Sequence, residues 1–189
     1  TIGFSKASSV IPVARHKENH VHYEVLVRMV DEKGRPLDPD GFIPAAERYI
    51  LMPAIDRWVI NRLFTTQAES LRRWADQFPH NGGFLFAINL SGTSLADEGF
   101  LSYIKRQFSD HGIPHHAICF EITETAVVAN LDRAKGLIEE LRDLGCSFAL
   151  DDFGTGLSSY SYLKILAVDY LKIDGSFVRN MAEDPVDYA

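Results

Sequence analysis

From residue 84 onward the sequence alternates short apolar runs with amphipathic stretches, and this alternation restricts the fold more than any other feature. The runs Phe84 to Leu90, Ala117 to Thr123, Ser147 to Leu150 and Val168 to Ile173 have the length and composition of buried strands. Between them, 97–110 and 130–144 repeat apolar residues every three or four positions, as a helix does when it hides one face. A further helix is expected around 158–166 and another from about Ser176. In 130–144 the inward set is Leu131, Ala134, Leu137, Leu141 and Leu144, and Gly145 suits a left-handed cap. Strands alternating with helices pair in parallel through right-handed crossovers, so an α/β fold with a parallel sheet follows.

The first third is less regular. Val21 to Val30 is a strong strand, with Tyr23, Val25, Val27 and Met29 on one face and Glu24, Leu26 and Arg28 on the other. Ala7 to Val13 reads as a further strand, Arg15 to His20 as a solvated loop and Asp31 to Gly41 as a turn and loop. Pro44 fits the first turn of a short helix ending at Tyr49. Pro53 opens a long helix running to about Phe78, with Trp58 placed among its core residues.

The chemistry lies in the last polar residue of each strand. These are Glu24, Asn89, Glu121, the adjacent Asp151 and Asp152, and Lys172. In a (β/α) barrel the C-terminal strand ends all open on one mouth, so these side chains converge there. Taken singly, each has a plainer reading. Asp151-Asp152-Phe-Gly-Thr-Gly156 is also a capped strand–helix turn, Glu24 is also the acid of a buried salt bridge with Arg28 or Lys172, and Lys172 is also a plain ion-pair partner. Together, carboxylates and an amide are hard oxygen ligands suited to Mg²⁺ or Mn²⁺, with Ca²⁺ as an inhibitory substitute. Two such ions about 3.5–4 Å apart activate water and stabilise a leaving oxygen in phosphoester hydrolysis. Lys172 is then placed to orient the water or neutralise phosphate charge, and Arg28 to take a phosphate oxygen or stack on a base.

Composition narrows the partners. The 189 residues carry a formal charge of -7, which disfavours duplex nucleic acid. No apolar run reaches the roughly 18 residues that a membrane helix needs, so direct membrane insertion is not expected. Cys119 and Cys146 each lie in an apolar run and read as buried, reduced thiols of a cytoplasmic protein. His20, His22, His115 and His116 read as surface histidines, and Tyr160, Tyr162 and Tyr170 as packing residues.

Glu24-Val-Leu26 with Arg28, Asn89-Leu-Ser91, Glu121-Ile-Thr-Glu124, Asp151-Asp-Phe-Gly-Thr-Gly156 and Leu171-Lys-Ile-Asp174 together resemble the motif series of the EAL domain, in order, from about Val21 to Val178. Phe42-Ile-Pro-Ala-Ala-Glu47 is also similar to a family segment on the substrate side. The resemblance implies a modified TIM barrel that hydrolyses the bacterial messenger cyclic di-GMP to linear pGpG with Mg²⁺ or Mn²⁺. It implies Glu24, Asn89, Glu121, Asp151 and Asp152 as metal ligands, and Leu26 and Arg28 as dinucleotide contacts. It implies a catalytic set of Lys172, touching the water, and Glu124, steadying the loop after Asp152. The alternative is a catalytically silent EAL module that serves as a cyclic di-GMP receptor or a signal-transmitting interaction domain. A homodimer, and a GGDEF or sensor domain in the same polypeptide, whether free or membrane-anchored, are the partners the resemblance implies.

Three departures stand out. Val25 replaces the alanine of the family name, and Ser8-Ser9 aligns where relatives carry a ligand-contacting Gln-Pro. The chain reaches Ala189 without the later strands that carry a glutamate proposed as general base and a glutamine near the substrate. A barrel domain over 1–189, incomplete at its C-terminus, unable to close alone, bearing an open parallel edge and cut from a longer polypeptide, is therefore expected.

Overall fold

The computed structural model describes residues 2–6, 11–12, 21–77, 84–154 and 160–176. Seven strands form one sheet: β1 (Ile2–Lys6), β2 (Ile11–Pro12), β3 (Val21–Val27), β4 (Phe84–Leu90), β5 (Ile118–Thr123), β6 (Ser147–Phe153) and β7 (Tyr170–Ile173). Their order is β1-β3-β4-β5-β6-β7-β2. β3 to β7 pair in parallel, as expected from the alternation. β1 and β2 pair antiparallel at the two ends, so the edges are antiparallel and the β7 edge is covered by β2 rather than open. Of the expected strand at 7–13 only Ile11–Pro12 is described, and the expected loop at 15–20 lies outside the described residues.

The sheet is curled. β3 and β7 are four steps apart, about 19 Å in a flat sheet. Yet the His22 and Tyr170 rings stand edge to face at 4.6 Å, and Lys172 reaches Glu24 at 2.7 Å. Curling the sheet brings its far strands into contact, as in the wall of a barrel.

Period two sorts the side chains onto two surfaces. Val25, Phe86, Ile88, Leu90, Phe120, Ile122, Phe148 and Leu150 point outward into the main core. They meet α2 (Met52–Gln77), whose buried stripe is Val59, Ile60, Leu63, Phe64 and Leu71. Ile104 and Phe108 of α4 (Phe100–His111) and Ala134, Leu137, Ile138 and Leu141 of α6 (Leu131–Asp143) complete that layer. Both faces of the parallel strands are thus covered, which explains their nearly continuous apolar sequence. On the inner surface Leu85, Ala87, Cys119, Ala149 and Tyr170 form a separate small core. Tyr170 fills the space that the alanines and cysteine leave.

Local differences from the sequence reading have physical causes. α1 (Pro39–Arg48) begins five residues before Pro44, because Asp38 caps it by accepting from the Asp40 N–H and Pro39 occupies its first turn. Trp58 is 44% exposed rather than core. At 100° per residue it lies about 200° round the helix from the fully buried Ile60. Leu144 is 39% exposed because α6 stops at Asp143, where Gly145 (φ 106) reverses the chain and donates to the Arg142 carbonyl. The expected helix at 97–110 starts at Phe100, preceded by the short α3 (Gly92–Ala96), and the one at 158–166 is a 3-10 turn, Tyr160–Lys164. His115 is half-buried against Phe108 at 4.6 Å, not a surface residue. No helix among the described residues is long and apolar enough to cross a membrane.

Both cysteines are free and buried, and burial pushes the Cys146 thiol up to about 12. Iodoacetamide should therefore label neither Cys119 nor Cys146 in the native protein at neutral pH and both after denaturation, read by mass spectrometry. Rapid native labelling of either would contradict this packing.

Candidate active site

Five inner-surface positions, one on each parallel strand, have a polar residue two places further along. Ala87 is followed by Asn89, Cys119 by Glu121, Ala149 by Asp151, Tyr170 by Lys172, and His22 by Glu24. A step of two keeps a side chain on the same face, so the layer above the floor is polar, coming from the middle of β3 and the C-terminal halves of β4 to β7. Register sets Asn89 directly opposite Glu121, while Glu121 faces Ala149 and Asp151 stands two residues further along, opposite Thr123, so the polar residues are staggered from strand to strand.

Lys172 is the hub. Its Nζ lies 2.7 Å from Glu24 Oε1 and 2.8 Å from both Glu121 Oε2 and Asp151 Oδ2. Three strands besides its own thus send a carboxylate to one ammonium. Burial pulls the Lys172 ammonium down, but Glu121, Asp151 and Glu24 outweigh it and hold the group charged well above the ordinary lysine range. Glu121, only 2% exposed, is pushed up to about 7. Burial is the main cause, with Asp151 and Glu24 adding to it and Lys172 opposing it.

Asp152 is set apart by a bulge. The β6–β7 register shifts between Leu150 and Phe153, and Asp152 adopts a left-handed backbone at φ 52. Its N–H donates to Asp151 Oδ1 at 2.9 Å. Its own carboxyl is raised by burial and by the neighbouring Asp151 and Asp174, with Lys172 pulling the other way. The sequence reading ended the strand at Leu150; instead the bulge carries it on to Phe153.

Glu124 stands behind the mouth, at the start of α5 (Glu124–Ala129). Its carboxylate accepts from the Gly154 N–H at 2.9 Å and from the Tyr162 hydroxyl. That ties down the turn after Asp152 and gives Tyr162 a polar task beyond packing. Leu26 and Arg28 line a cavity of about 310 Å³ beside the carboxylates, together with Asn89, Ser91, Thr123 and Asp56. A second, apolar cavity of about 500 Å³ lies on the other side of Arg28, lined by Met29, Val30, Leu51 and Trp58. Ser8-Ser9 lies outside the described residues.

Sequence reasoning missed two hydroxyls and one acid. Ser91 and Thr123 each sit two residues after a strand-end polar residue and cap the next helix, accepting from Ser94 N and Ala126 N. The repeated spacing, Asn89-x-Ser91 and Glu121-x-Thr123, was the available signal. Asp56, on α2, carries none.

Among the described residues no three His, Cys, Asp or Glu side chains stand as a ready metal cage. The carboxylates close on Lys172 instead. The carboxylates of Glu24, Glu121 and Asp151 outnumber the one ammonium, and every donor is a hard oxygen. That donor set fits a hard divalent cation and not zinc or copper.

Residues 12–189 match the EAL domain. The chain belongs to the EAL domain family. It is 48% identical over 166 residues to cyclic di-GMP phosphodiesterase PdeB of Shewanella oneidensis, covering 88% of this chain and 19% of that protein. It is 37% identical over 168 residues to cyclic di-GMP phosphodiesterase PdeF of Escherichia coli, covering 89% of this chain and 22% of that one. The EAL chain thus spans about a fifth of the length of these relatives. Its fold matches the FimX EAL domain of Pseudomonas aeruginosa bound to c-di-GMP with a TM-score of 0.76 at 32% identity, over 93% of this chain and 66% of that one. It matches the PaMucR phosphodiesterase in complex with c-di-GMP at 0.78 and 26%, over 99% and 72%. The TIM-barrel-like EAL architecture expected from the motifs is therefore the architecture of the chain.

The left-handed Asp152 separates folding from chemistry. A non-glycine residue there is strained by about 1 kcal/mol or more. Asp152→Gly should match or exceed the wild-type melting temperature, read by thermal unfolding. A fall of several degrees would show that the aspartate side chain stabilises the fold.

Proposed function

We propose that this EAL domain is the hydrolytic module of a cyclic di-GMP phosphodiesterase that requires Mg²⁺ or Mn²⁺ and releases linear pGpG in bacterial second-messenger signalling. The observation that carries the reading is the convergence of Glu24, Glu121 and Asp151 on Lys172, beside the cavity bordered by Leu26 and Arg28. The names of PdeB and PdeF, and the c-di-GMP bound in the MucR and FimX structures, support the substrate.

Glu24, Asn89, Glu121, Asp151 and Asp152 would hold the cations. When bound, these supply Lewis acidity at the phosphate and lower the pKa of the attacking water. Lys172 keeps the ligand carboxylates gathered and sets a fixed positive charge beside the phosphoryl group. Arg28 binds a phosphate oxygen of the dinucleotide, Leu26 gives its base an apolar wall, and Glu124 holds the turn that carries Asp152. The reading places the domain in the cytoplasm, in a polypeptide carrying a GGDEF or sensor domain.

The test is hydrolysis of cyclic di-GMP, followed as pGpG by chromatography. Turnover is expected with Mg²⁺ or Mn²⁺, none with chelator, and suppression by Ca²⁺. Glu24→Ala or Asp151→Ala should abolish it with an unchanged circular dichroism spectrum. Arg28→Ala should weaken binding by about 1.5–3 kcal/mol, the worth of a hydrogen bond to a charged group. Tight binding without turnover in either metal would instead make the domain a receptor, and binding of neither dinucleotide nor metal would make it a signal-transmitting module.

A further inference from the structure

Asp56 of α2 is only 4% exposed, and its Oδ2 accepts from the Ser91 N–H at 2.8 Å, the Ser91 hydroxyl at 2.7 Å and the Ser94 hydroxyl at 2.6 Å. Burying a carboxylate is costly, and burial does push this carboxyl above the ordinary aspartate range while the serine donors oppose the shift. What the acid holds is the turn immediately after Asn89. Ser91 lies two residues beyond Asn89 and caps α3. From the other side Gly92 packs so tightly on α5 that a Cβ there would come within 3.2 Å of the Ala126 Cβ.

The site ligands differ in what can place them. Glu24, Glu121 and Asp151 are drawn to Lys172 by charge. Asn89 is a neutral amide at the exposed end of its strand, and no such attraction aims it. Its position is set through the backbone, and Asp56 fixes the far end of that backbone segment.

We propose that Asp56 is a positioning residue for the Asn89 amide, setting the site's affinity for its divalent cation through Ser91. This rests on the reading of Asn89 as a cation ligand. Outer partners of metal ligands typically contribute about 10–100-fold in metal affinity.

The test is calorimetric titration of the metal-free protein with Mn²⁺ alone, together with the Asn89 side-chain amide resonances. Asp56→Ala should weaken Mn²⁺ about tenfold or more and shift or broaden the Asn89 amide signals. Asp56→Asn, whose amide oxygen still accepts from the Ser91 N–H, should recover most of both. Leu71→Ala, about 22 Å along the same helix, should lower the melting temperature and leave Mn²⁺ affinity unchanged. Unaltered Mn²⁺ affinity in Asp56→Ala would overturn the proposal, as would an equal loss in Leu71→Ala. A wild-type protein that binds no Mn²⁺ would overturn the cation-ligand reading itself, and Asp56's role with it.

Discussion

The contact on which the site depends is the grip of Glu24, Glu121 and Asp151 on the Lys172 ammonium. At an effective dielectric near 20, unit charges 2.8 Å apart attract by roughly 6 kcal/mol, against several kcal/mol per ion for leaving water. Without the ammonium, the carboxylates would stand side by side and repel. With it, tips of strands four steps apart in the sheet are held at one point, and the mouth acquires a defined shape. The ion cluster and the curl of the sheet therefore require each other.

Beneath this polar layer the inner surface is deliberately lean. Ala87, Cys119 and Ala149 leave room that Tyr170 fills from one side, with His22 edge-on to its ring. A larger residue at any of the small positions would compete with the Tyr170 ring for that space. Above the layer, polar contacts pin the turns: Asp56 holds the turn after β4, and Glu124 the turn after β6. Within the mouth, the left-handed backbone falls on Asp152, where the bulge turns a second carboxylate away from simple alternation.

Much of this was legible in the residues. The parallel strands and their polar ends followed from runs such as Phe84 to Leu90 and from period two, because both depend only on local pattern. The full set of Lys172 partners did not: a pair with Glu24 stood as one alternative, but Glu24 and Lys172 lie 148 positions apart and meet, with Glu121 and Asp151, only once the sheet has curled. Trp58 and Leu144 misled because helical periodicity marks an apolar residue without saying what covers it. Pro39 and Pro44 both satisfy the rule for a helix start, and only the Asp38 cap decides between them. The bulge at Asp152 and the reach of Asp56 are tertiary facts with no local trace.

Chemical denaturation of the metal-free Lys172→Met protein tests the central claim most directly. Removing one partner from a buried ion cluster costs about 3–5 kcal/mol, so its unfolding midpoint should fall well below that of the wild type. An unchanged midpoint would mean that the strand tips stand together without the ammonium, and that the account of the site built on it is wrong.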